Sequence, residues 1–333
     1  MLFGALHMLV FLVVGGRGMW TGEREESRWT LARMGRYAFA LGTTEAVNVL
    51  NAHLDQLLVL TLFTVEALAE YRNGAWQIPV ITTVAYSVGA VQLPRLTGLF
   101  QQGKGAEALD AWRVGAAKAA RVVVPASLIF VCSSTELMVL AFGEAYAPSG
   151  PVFLCYSLLT MARVAAFGSF LLAAGAPERL LKAAICTLGF NMLISVPLAV
   201  SMGALGPAIG TTVAFVPTVL VYCWMMSRVT GARVRQTFPL REFLRVVFAA
   251  TPGAAAALAL SRAMEMGPLA HLVTAAVLIP TGYVAVGRLS GVLSAEDLRF
   301  VRQWTSLRVF RVRGATSPGD QRGEGSASRE SAR

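Results

Sequence analysis

Residues 182–228 read KAAICTLGFNMLISVPLAVSMGALGPAIGTTVAFVPTVLVYCWMMSR, and this stretch decides the fold class. Its only charged residues are Lys182 and Arg228, which stand at its two ends. Between them lie two apolar runs, 182–202 and 205–226, joined by a Gly-containing turn. Each run has close to the ~20 residues that an α-helix needs to cross the hydrocarbon of a bilayer. The stretch therefore predicts a helical hairpin inserted in a membrane.

The composition extends this interpretation to the whole chain of 333 residues. Residues of the hydrophobic set make up 55% of the chain, charged residues make up 14%, and the mean hydropathy is +0.59. Soluble domains average roughly 45–50% apolar and about 25% charged residues. The composition therefore excludes a soluble globule, a disordered protein and a disulfide-rich secreted domain, and it favours a polytopic membrane protein.

Motifs for catalysis or metal binding are missing from the sequence. The four cysteines are dispersed in apolar runs without a C-x-x-C, and there is no P-loop, G-x-S-x-G or H-E-x-x-H. We therefore expect no enzyme activity, no cofactor and no metal. The net charge of +10 does not indicate nucleic-acid binding, because the position of each charge matters more than the sum in a membrane protein.

Nine apolar runs are candidates for transmembrane helices. They cover residues 2–16, 37–63, 75–93, 122–142, 151–174, 182–202, 205–226, 243–260 and 268–287. The runs are continuously apolar, whereas the strands of a membrane barrel alternate between apolar and polar residues. We therefore predict an all-α polytopic membrane protein with about nine transmembrane helices.

Positive charge is confined to alternate loops. Of the 29 Lys and Arg residues, 26 follow the first, third, fifth, seventh and ninth runs, whereas Arg72 and Arg262 lie in the opposite loops and Arg163 lies inside the fifth run. Basic loops of membrane proteins remain in the cytoplasm. The alternation supports the number of spans and predicts a cytoplasmic C-terminus.

The same pattern divides the chain into six segments. We predict a partial transmembrane helix over 1–16, a cytoplasmic basic loop over 17–36, a six-helix bundle over 37–230, a helix pair over 231–287, a basic amphipathic cytoplasmic segment over 288–313 and a disordered tail over 314–333. The first span has about 15 residues, or about 22 Å of helix, and a bilayer core is ~30 Å thick. We therefore expect that residues upstream of Met1 are missing from this sequence.

Polar residues on the second span form the main candidate site. Thr44, Glu45, Asn48, Asn51 and Asp55 project within an arc of roughly 120° of a helix. One interpretation is the wall of a translocation cavity, where Asn48 and Asn51 contact a sugar and Glu45 and Asp55 bind H⁺ or Na⁺. The other is a set of interhelical hydrogen bonds. Two carboxylates are more than such bonds require, so the pattern favours the cavity.

Arg163 is the cation that lies well inside a predicted span, and Tyr156 and Thr160 share its helix face. A guanidinium can bind a phosphate or a pyrophosphate through two parallel hydrogen bonds. We therefore predict that Arg163 and Thr160 contact substrate. The alternative role of Arg163 is a buried salt bridge to Asp55 or Glu45, and a transporter can break such a pair when substrate binds.

Two further features have structural interpretations. Gly206 and Gly210 form a small-x-x-x-small pattern at the start of the seventh span, which predicts close helix packing. Glu136 lies towards the end of the fourth span, after Ser133, Ser134 and Thr135. We interpret it as a solvated charge at the membrane boundary, with proton carriage as the alternative.

Three stretches resemble one family of transporters. They are LDQLLVLTLFTVEALAEYRNGAWQIPVITTVAYSVGAVQLPRLTGLFQQGK (54–104), FGEAYAPSGPVFLCYSLL (142–159) and LLAAGAPERLLKAAICTLGFNMLISVPLAVSMGALGPAIGTTVAF (171–215). The first has a helix with Asp55, a loop, and a helix that closes at Leu93-Pro94 before a Gly-Lys loop. Together they are similar to the oligosaccharide-lipid flippases of the multidrug/oligosaccharidyl-lipid/polysaccharide exporter superfamily.

The resemblance implies two six-helix bundles around a central cavity. Spans two to seven resemble the second bundle, spans eight and nine resemble an added C-terminal pair, and most of the first bundle is absent from the sequence. It also implies a secondary transporter that flips an undecaprenyl-diphosphate-linked oligosaccharide across the bacterial inner membrane. The implied partners are membrane lipids, this substrate, H⁺ or Na⁺, and a missing first bundle or a second subunit.

Two groups of alternatives remain open. The same superfamily contains cation-coupled drug exporters and the peptidoglycan-precursor flippase. A non-transporting membrane scaffold of a polysaccharide-assembly complex would need no intact cavity, and the missing bundle favours it. A membrane-embedded enzyme is less favoured, since its carboxylates should cluster near a bilayer face and those of this chain lie along one helix.

Overall fold

A computed structural model describes residues 31–293, and every regular element in that range is a helix. The helices are α1 (Leu31–Leu62), α2 (Val65–Gly74), α3 (Pro79–Gln101), α4 (Gly105–Cys132), α5 (Ser134–Phe142), α6 (Gly150–Ala162), α7 (Phe167–Ala173), α8 (Pro177–Met202), α9 (Gly206–Thr230), α10 (Val234–Thr237), α11 (Leu240–Ala263) and α12 (Pro268–Leu289). The predicted all-α fold is confirmed. The predicted partial helix 1–16, most of the basic loop 17–36, most of the segment 288–313 and the tail 314–333 lie outside the described residues.

Five stretches of the described chain are long and apolar enough to cross a membrane. They are Gly105–Cys132, Glu144–Ala173, Pro177–Thr230, Leu240–Ala263 and Pro268–Leu289, and the longest contains both α8 and α9. The chain is therefore a multi-pass membrane protein. The helices α1 and α3, which match the predicted spans 37–63 and 75–93, are not among them. The polar residues of the candidate site are among those that lower the hydropathy of α1.

Two predicted spans differ from the helices observed. The run 122–142 is divided, because α4 already begins at Gly105 and a break at Ser133 separates it from α5. Ser and Thr favour helix ends over helix interiors, which explains a break within Ser133-Ser134-Thr135. The run 151–174 is interrupted over residues 163–166, between α6 and α7. Hydropathy marks the part of a chain that prefers lipid, and it does not mark where a helix begins or ends.

The helices of the described residues pack against one another in a bundle. The α8–α9 hairpin packs on α1 and α6, and α3 packs on α4 and α7. A Cβ atom on Gly210 would lie 2.5 Å from the Cα atom of Ser195, and one on Gly206 would overlap the backbone of Leu198. The predicted close approach of two helices at these glycines is therefore present in the structure.

Aromatic residues fill the core beside the interruption between α6 and α7. Trp112 of α4 is 2% exposed, and its ring centroid lies 5.3 Å from that of Phe167 and 5.8 Å from that of Phe170. The indole Nε1 donates a hydrogen bond of 3.2 Å to the carbonyl oxygen of Ala166. This core therefore fixes the position of the non-helical residues that precede α7.

The C-terminal hairpin of α11 and α12 packs on α4, and α12 also contacts α5. A Cβ atom on Gly282 would lie 2.8 Å from the Cα atom of Gly253, so the two helices approach closely. The His271 ring lies with Nδ1 2.7 Å from Oε1 of Glu136. Glu136 is thus more than a solvated boundary charge, since it joins α5 to α12.

Candidate functional site

A cavity of about 630 Å³ opens within the bundle, between α1, α3, α6, α8 and α9. All six of the predicted site residues line it, namely Glu45, Asn48, Asn51, Asp55, Thr160 and Arg163. Ligand pockets in proteins commonly measure about 300–1,000 Å³. The structure thus brings the polar stripe of α1 and the arginine of a distant segment to one space large enough for a polar headgroup.

The α1 residues of the cavity divide into two groups. Glu45 and Asn48 are exposed to the cavity and make no hydrogen bond to another described residue. Asn51 and Asp55 also line the cavity, but both hydrogen-bond to other helices. Thr44 is buried and donates to the carbonyl oxygen of Ala40 at 2.7 Å. The two interpretations of the stripe, cavity wall and interhelical bonding, therefore hold for different parts of the same helix.

Arg163 reaches the cavity because α6 ends at Ala162. Its Cζ atom lies 5.7 Å from the ring centroid of Phe215, which is a cation–π contact. No ion pair joins Arg163 to Asp55, to Glu45 or to any other described acidic residue. The salt bridge considered as the alternative role of Arg163 is therefore not formed in this structure. The guanidinium remains available to an anionic ligand in the cavity.

The chain around Arg163 is held in place from three sides. The Ala166 carbonyl oxygen accepts hydrogen bonds from Trp112 Nε1 at 3.2 Å and from Ser169 Oγ at 2.7 Å. On α3, a Cβ atom at Gly89 would lie 2.5 Å from the Cβ atom of Ala166. The absence of a side chain at Gly89 therefore makes room for the interruption that presents Arg163.

Asp55 is the centre of a buried hydrogen-bond network. The side chain is 2% exposed, and its Oδ2 atom accepts from Tyr156 Oη at 2.7 Å and from Thr211 Oγ1 at 2.5 Å. The hydroxyl of Tyr71 lies 3.2 Å from that of Tyr156. The carboxylate of α1 is thereby tied to α6 and α9, and through Tyr156 to α2.

The network continues into the α8–α9 hairpin through Asn191. Asn191 Nδ2 donates to Asn51 Oδ1 at 3.1 Å, while Asn191 Oδ1 lies 2.9 Å from Thr211 Oγ1 and accepts from Ser195 Oγ at 2.6 Å. We call these seven residues the Asp55 cluster: Asn51, Asp55, Tyr71, Tyr156, Asn191, Ser195 and Thr211. Five helices contribute to it, so it links most of the bundle.

Sequence reasoning placed two members of the Asp55 cluster in the candidate site and missed the rest. Asn191, Ser195 and Thr211 are polar residues in apolar runs, and Asn191 and Ser195 are four residues apart, on one helix face. That spacing indicates a polar helix face and could have identified these residues. No sequence pattern indicates Tyr71, because it lies in a predicted loop and a tyrosine fits there without a polar partner.

The Thr211 hydroxyl of the Asp55 cluster lies between two acceptors and has one hydrogen to share between them. With the Asn191 amide in the orientation of the structure, Thr211 Oγ1 lies within hydrogen-bond distance of two acceptors, Asp55 Oδ2 and Asn191 Oδ1. A hydroxyl carries one hydrogen and donates to one of them. A proton on Asp55, or a cation among these oxygens, would complete the contact that the Thr211 hydroxyl leaves without a hydrogen.

Asp55 also has no cationic partner. No described Lys, Arg or His lies within ion-pair distance of it, and its Oδ1 atom is buried without a hydrogen bond. An isolated buried carboxylate is costly unless it is protonated or paired with a cation. Among the described residues, no group of three or more His, Cys, Asp and Glu side chains lies together, so the site offers oxygens and no transition-metal ligand set.

Comparison with known proteins identifies the fold. No known protein family and no curated protein matches the sequence. Among solved structures, the chain is similar to the lipid II flippase MurJ in an inward closed conformation, with a TM-score of 0.57 and 15% sequence identity. The match covers 74% of this chain and 52% of MurJ, so the chain spans about half the length of that structure. The chain therefore resembles part of the fold of that structure.

Proposed function

We propose that this chain works in a secondary transporter that flips an undecaprenyl-diphosphate-linked oligosaccharide across the bacterial inner membrane for surface polysaccharide biosynthesis. The observation that carries the proposal is an arginine without an acidic partner in a cavity of about 630 Å³ inside a membrane-spanning bundle. A charged residue at such a position is costly and usually serves a substrate or ion. The C-terminus lies in the cytoplasm in this proposal, as the positions of the basic residues predict.

The proposed headgroup site assigns the diphosphate to Arg163. A guanidinium binds phosphate oxygens through two parallel hydrogen bonds, and the low dielectric of a membrane cavity strengthens the contact. Asn48, Asn51 and Thr160 line the same cavity and would bind sugar hydroxyl groups. The lipid tail remains in the bilayer while the polar headgroup crosses through the cavity.

The proposed coupling site assigns the driving ion to Asp55, with Glu45 as a second carboxylate of the same cavity. The missing hydrogen of the Asp55 cluster and the lack of a cationic partner both favour a bound proton or Na⁺. For Na⁺, the ligands would be oxygens of Asp55, Asn191, Ser195 and Thr211, since hard cations prefer oxygen ligands.

A second candidate function is flipping of a peptidoglycan precursor. The likeness to a lipid II flippase favours it, and Arg163 suits any lipid diphosphate. The cavity also contains the carboxylates of Glu45 and Asp55, so its charges alone do not distinguish these functions from that of a cation-coupled drug exporter. A non-transporting scaffold of a polysaccharide-assembly complex predicts that no lipid-linked substrate is moved.

A flipping assay tests these functions. The protein, produced from its complete reading frame, is reconstituted into proteoliposomes with a fluorescent undecaprenyl-diphosphate-linked oligosaccharide or with fluorescent lipid II. We expect Arg163→Ala to weaken binding by about 10- to 100-fold, since a hydrogen bond to a charged group contributes about 1.5–3 kcal/mol. Arg262→Ala is the matched control, because Arg262 is exposed near the end of α11 and does not line the cavity.

Each result has one meaning. Transport of the oligosaccharide but not of lipid II supports the leading function, and the reverse supports the peptidoglycan precursor. Equal affinity of the wild-type protein and Arg163→Ala for both lipids removes the phosphate-binding role. A folded wild-type protein that moves neither lipid favours the scaffold.

A further inference from the structure

Asp55 faces two different surroundings on its two sides. On one side it lines the cavity, together with Asn51 and Arg163. Tyr156, which also lines the cavity, lies between Asp55 and Tyr71 of α2, and the two tyrosines are 8% and 1% exposed. The cavity is therefore the open space that Asp55 borders in this structure, and the chain of contacts from Asp55 towards α2 runs through Tyr156 and Tyr71.

The two tyrosine rings are packed edge to face. Their centroids are 6.4 Å apart, their planes meet at 82°, and their hydroxyls are 3.2 Å from each other. Such T-shaped pairs are favourable in proteins. The two hydroxyls form a chain of contacts that ends at Asp55, because the Tyr71 hydroxyl contacts that of Tyr156, which donates to Asp55.

An apolar shell surrounds this pair. Tyr71 and Tyr156 belong to one buried cluster with Val59, Val152, Cys155, Leu159 and Ala208. These side chains come from α1, α6 and α9 and pack together with the two tyrosines. Water and ions avoid such a region, because apolar side chains offer them no hydrogen bonds or ligands.

The position of Tyr71 depends on how α2 is attached to α6. At its start, the Thr64 hydroxyl accepts a hydrogen bond from the Ala67 amide at 3.3 Å. Hydrogen bonds from the backbone amide of Glu66 and from the Thr64 hydroxyl lower the pKa of the Glu66 carboxyl. At its end, a Cβ atom on Gly74 would lie 2.6 Å from the carbonyl oxygen of Ser149 and 2.7 Å from the Cβ atom of Val152. The end of α2 therefore rests directly on the start of α6, and a displacement of one from the other moves Tyr71.

We propose that Tyr71 and Tyr156 form a gate, which closes the Asp55 ion site towards the α2 end of the bundle. Ion exchange between Asp55 and that side of the membrane requires α2 to move away from α6 and to carry Tyr71 with it. The inference rests on the proposed role of Asp55 in ion coupling and adds the barrier that prevents an ion from passing through without substrate. Tyr71 is a positioning residue of this gate and does not bind the substrate.

The gate depends on the ring of Tyr71 more than on its hydroxyl. Tyr71→Phe keeps the ring, so the barrier remains closed. Tyr71→Ala removes the ring and leaves a passage to Asp55. Gly74→Ala opens the same passage in a second way, because the added Cβ atom pushes α2 from α6 while Tyr71 itself is unchanged. Gly98→Ala is the matched control, since nothing lies within 4 Å of a Cβ atom there.

The test measures ion leak in proteoliposomes without substrate. A pH gradient with pyranine inside the vesicles reports H⁺, and a Na⁺ gradient with a Na⁺-sensitive dye reports Na⁺. We expect Tyr71→Ala and Gly74→Ala to raise the leak of one of these ions at least 10-fold. Tyr71→Phe and Gly98→Ala should stay within twofold of wild type, and Asp55→Asn should abolish the leak of Tyr71→Ala.

Labelling of Cys155 provides a readout that does not require transport. Cys155 is 8% exposed and belongs to the apolar cluster around the tyrosines. In a background with Ser at the other three cysteines, Cys132, Cys186 and Cys223, we expect Tyr71→Ala and Gly74→Ala to speed its reaction with a membrane-impermeant maleimide at least 10-fold. The accelerated reaction should occur from one side of the membrane only.

The results separate the gate from the function on which it rests. If Asp55→Asn removes ion coupling but Tyr71→Ala and Gly74→Ala show neither leak nor faster labelling, the gate is wrong and the coupling role stands. If coupling survives in Asp55→Asn, the coupling role is wrong. A leak that persists in Tyr71→Ala combined with Asp55→Asn overturns the gate, because the ion then bypasses Asp55.

Discussion

Arg163 and Asp55 line the same cavity, but no ion pair joins these two opposite charges. Asp55 is held by the hydroxyls of Tyr156 and Thr211, and Arg163 lies over the ring of Phe215. Each charge is therefore free to take its own ligand. An anion at Arg163 and a cation at Asp55 would attract each other across a cavity of low dielectric, which gives a physical basis for coupling between substrate and ion.

Replacement of Phe215 tests how Arg163 is held. Phe215→Leu removes the cation–π contact, whose centroid distance is 5.7 Å, and keeps the charge. Such contacts contribute about 0.5–1 kcal/mol where they are partly solvated. We therefore expect binding of undecaprenyl diphosphate to weaken by about two- to fivefold, measured by titration in detergent. Phe248→Leu is the control, because Phe248 is 71% exposed on α11; an equal loss there would contradict a specific contact.

Replacement of Trp112 tests what fixes the interruption before α7. Trp112→Phe keeps an aromatic ring in the core and removes the donor to the Ala166 carbonyl oxygen. Because Ser169 Oγ still donates to that oxygen, we expect the free energy of unfolding to fall by only about 1 kcal/mol. Affinity for undecaprenyl diphosphate should fall as well, by less than in Arg163→Ala, since one of the two donors that hold the backbone near Arg163 is lost. Trp224→Phe, at a position 53% exposed, should change neither quantity.

The sequence allowed the cavity wall of α1 to be predicted, because polar residues at helical spacing in an apolar run indicate one functional face. Arg163 was recognised as a cation inside a span, but its presentation was not. That presentation depends on an interruption of the helix held by Trp112 and Gly89, which are distant in sequence. Tertiary contacts of this kind leave no local pattern, and the same is true of Tyr71.

The glycines of the α8–α9 hairpin lead to a prediction about stability. Gly210→Ala places a Cβ atom 2.5 Å from the Cα atom of Ser195, so the two helices must separate. Overpacking of this kind costs about 1–3 kcal/mol. We expect the free energy of unfolding in mixed micelles to fall by that amount. Gly98→Ala has open space and should be neutral or slightly stabilising, because alanine favours helices over glycine; equal losses in both variants would contradict the packing argument.

The contact between Glu136 and His271 leads to a prediction about the C-terminal hairpin. Their side chains lie 2.7 Å apart and join α5 to α12, while Nε2 of His271 is buried without a partner. Glu136→Ala leaves the imidazole without any hydrogen bond, so we expect a loss of about 1–3 kcal/mol in unfolding free energy. Glu136→Gln retains an acceptor and should lose less. A double-mutant cycle with His271→Ala measures the pair itself, and a coupling energy near zero would show that the contact does not stabilise the hairpin.

Ion binding at Asp55 predicts a specific dependence of stability on the medium. An ion that binds only the folded protein stabilises it by RT ln(1 + [L]/Kd), which is about 2.7 kcal/mol at 100 times Kd. If the ion is Na⁺, the unfolding temperature of the wild-type protein rises when Na⁺ replaces choline at constant ionic strength and pH. If the ion is a proton, it rises as the pH falls and does not respond to Na⁺.

Asp55→Asn removes the charge and keeps an oxygen that can accept from Tyr156 and Thr211. The variant should therefore fold, respond to neither ion, and be at least as stable as the wild type in the absence of the ion, because it carries no uncompensated buried charge. Glu178→Gln is the control, since Glu178 is exposed in the first turn of α8 and should leave the wild-type response intact. An undiminished response in Asp55→Asn would place the ion elsewhere in the molecule, and the carboxylate would then act only in holding α1 to α6 and α9.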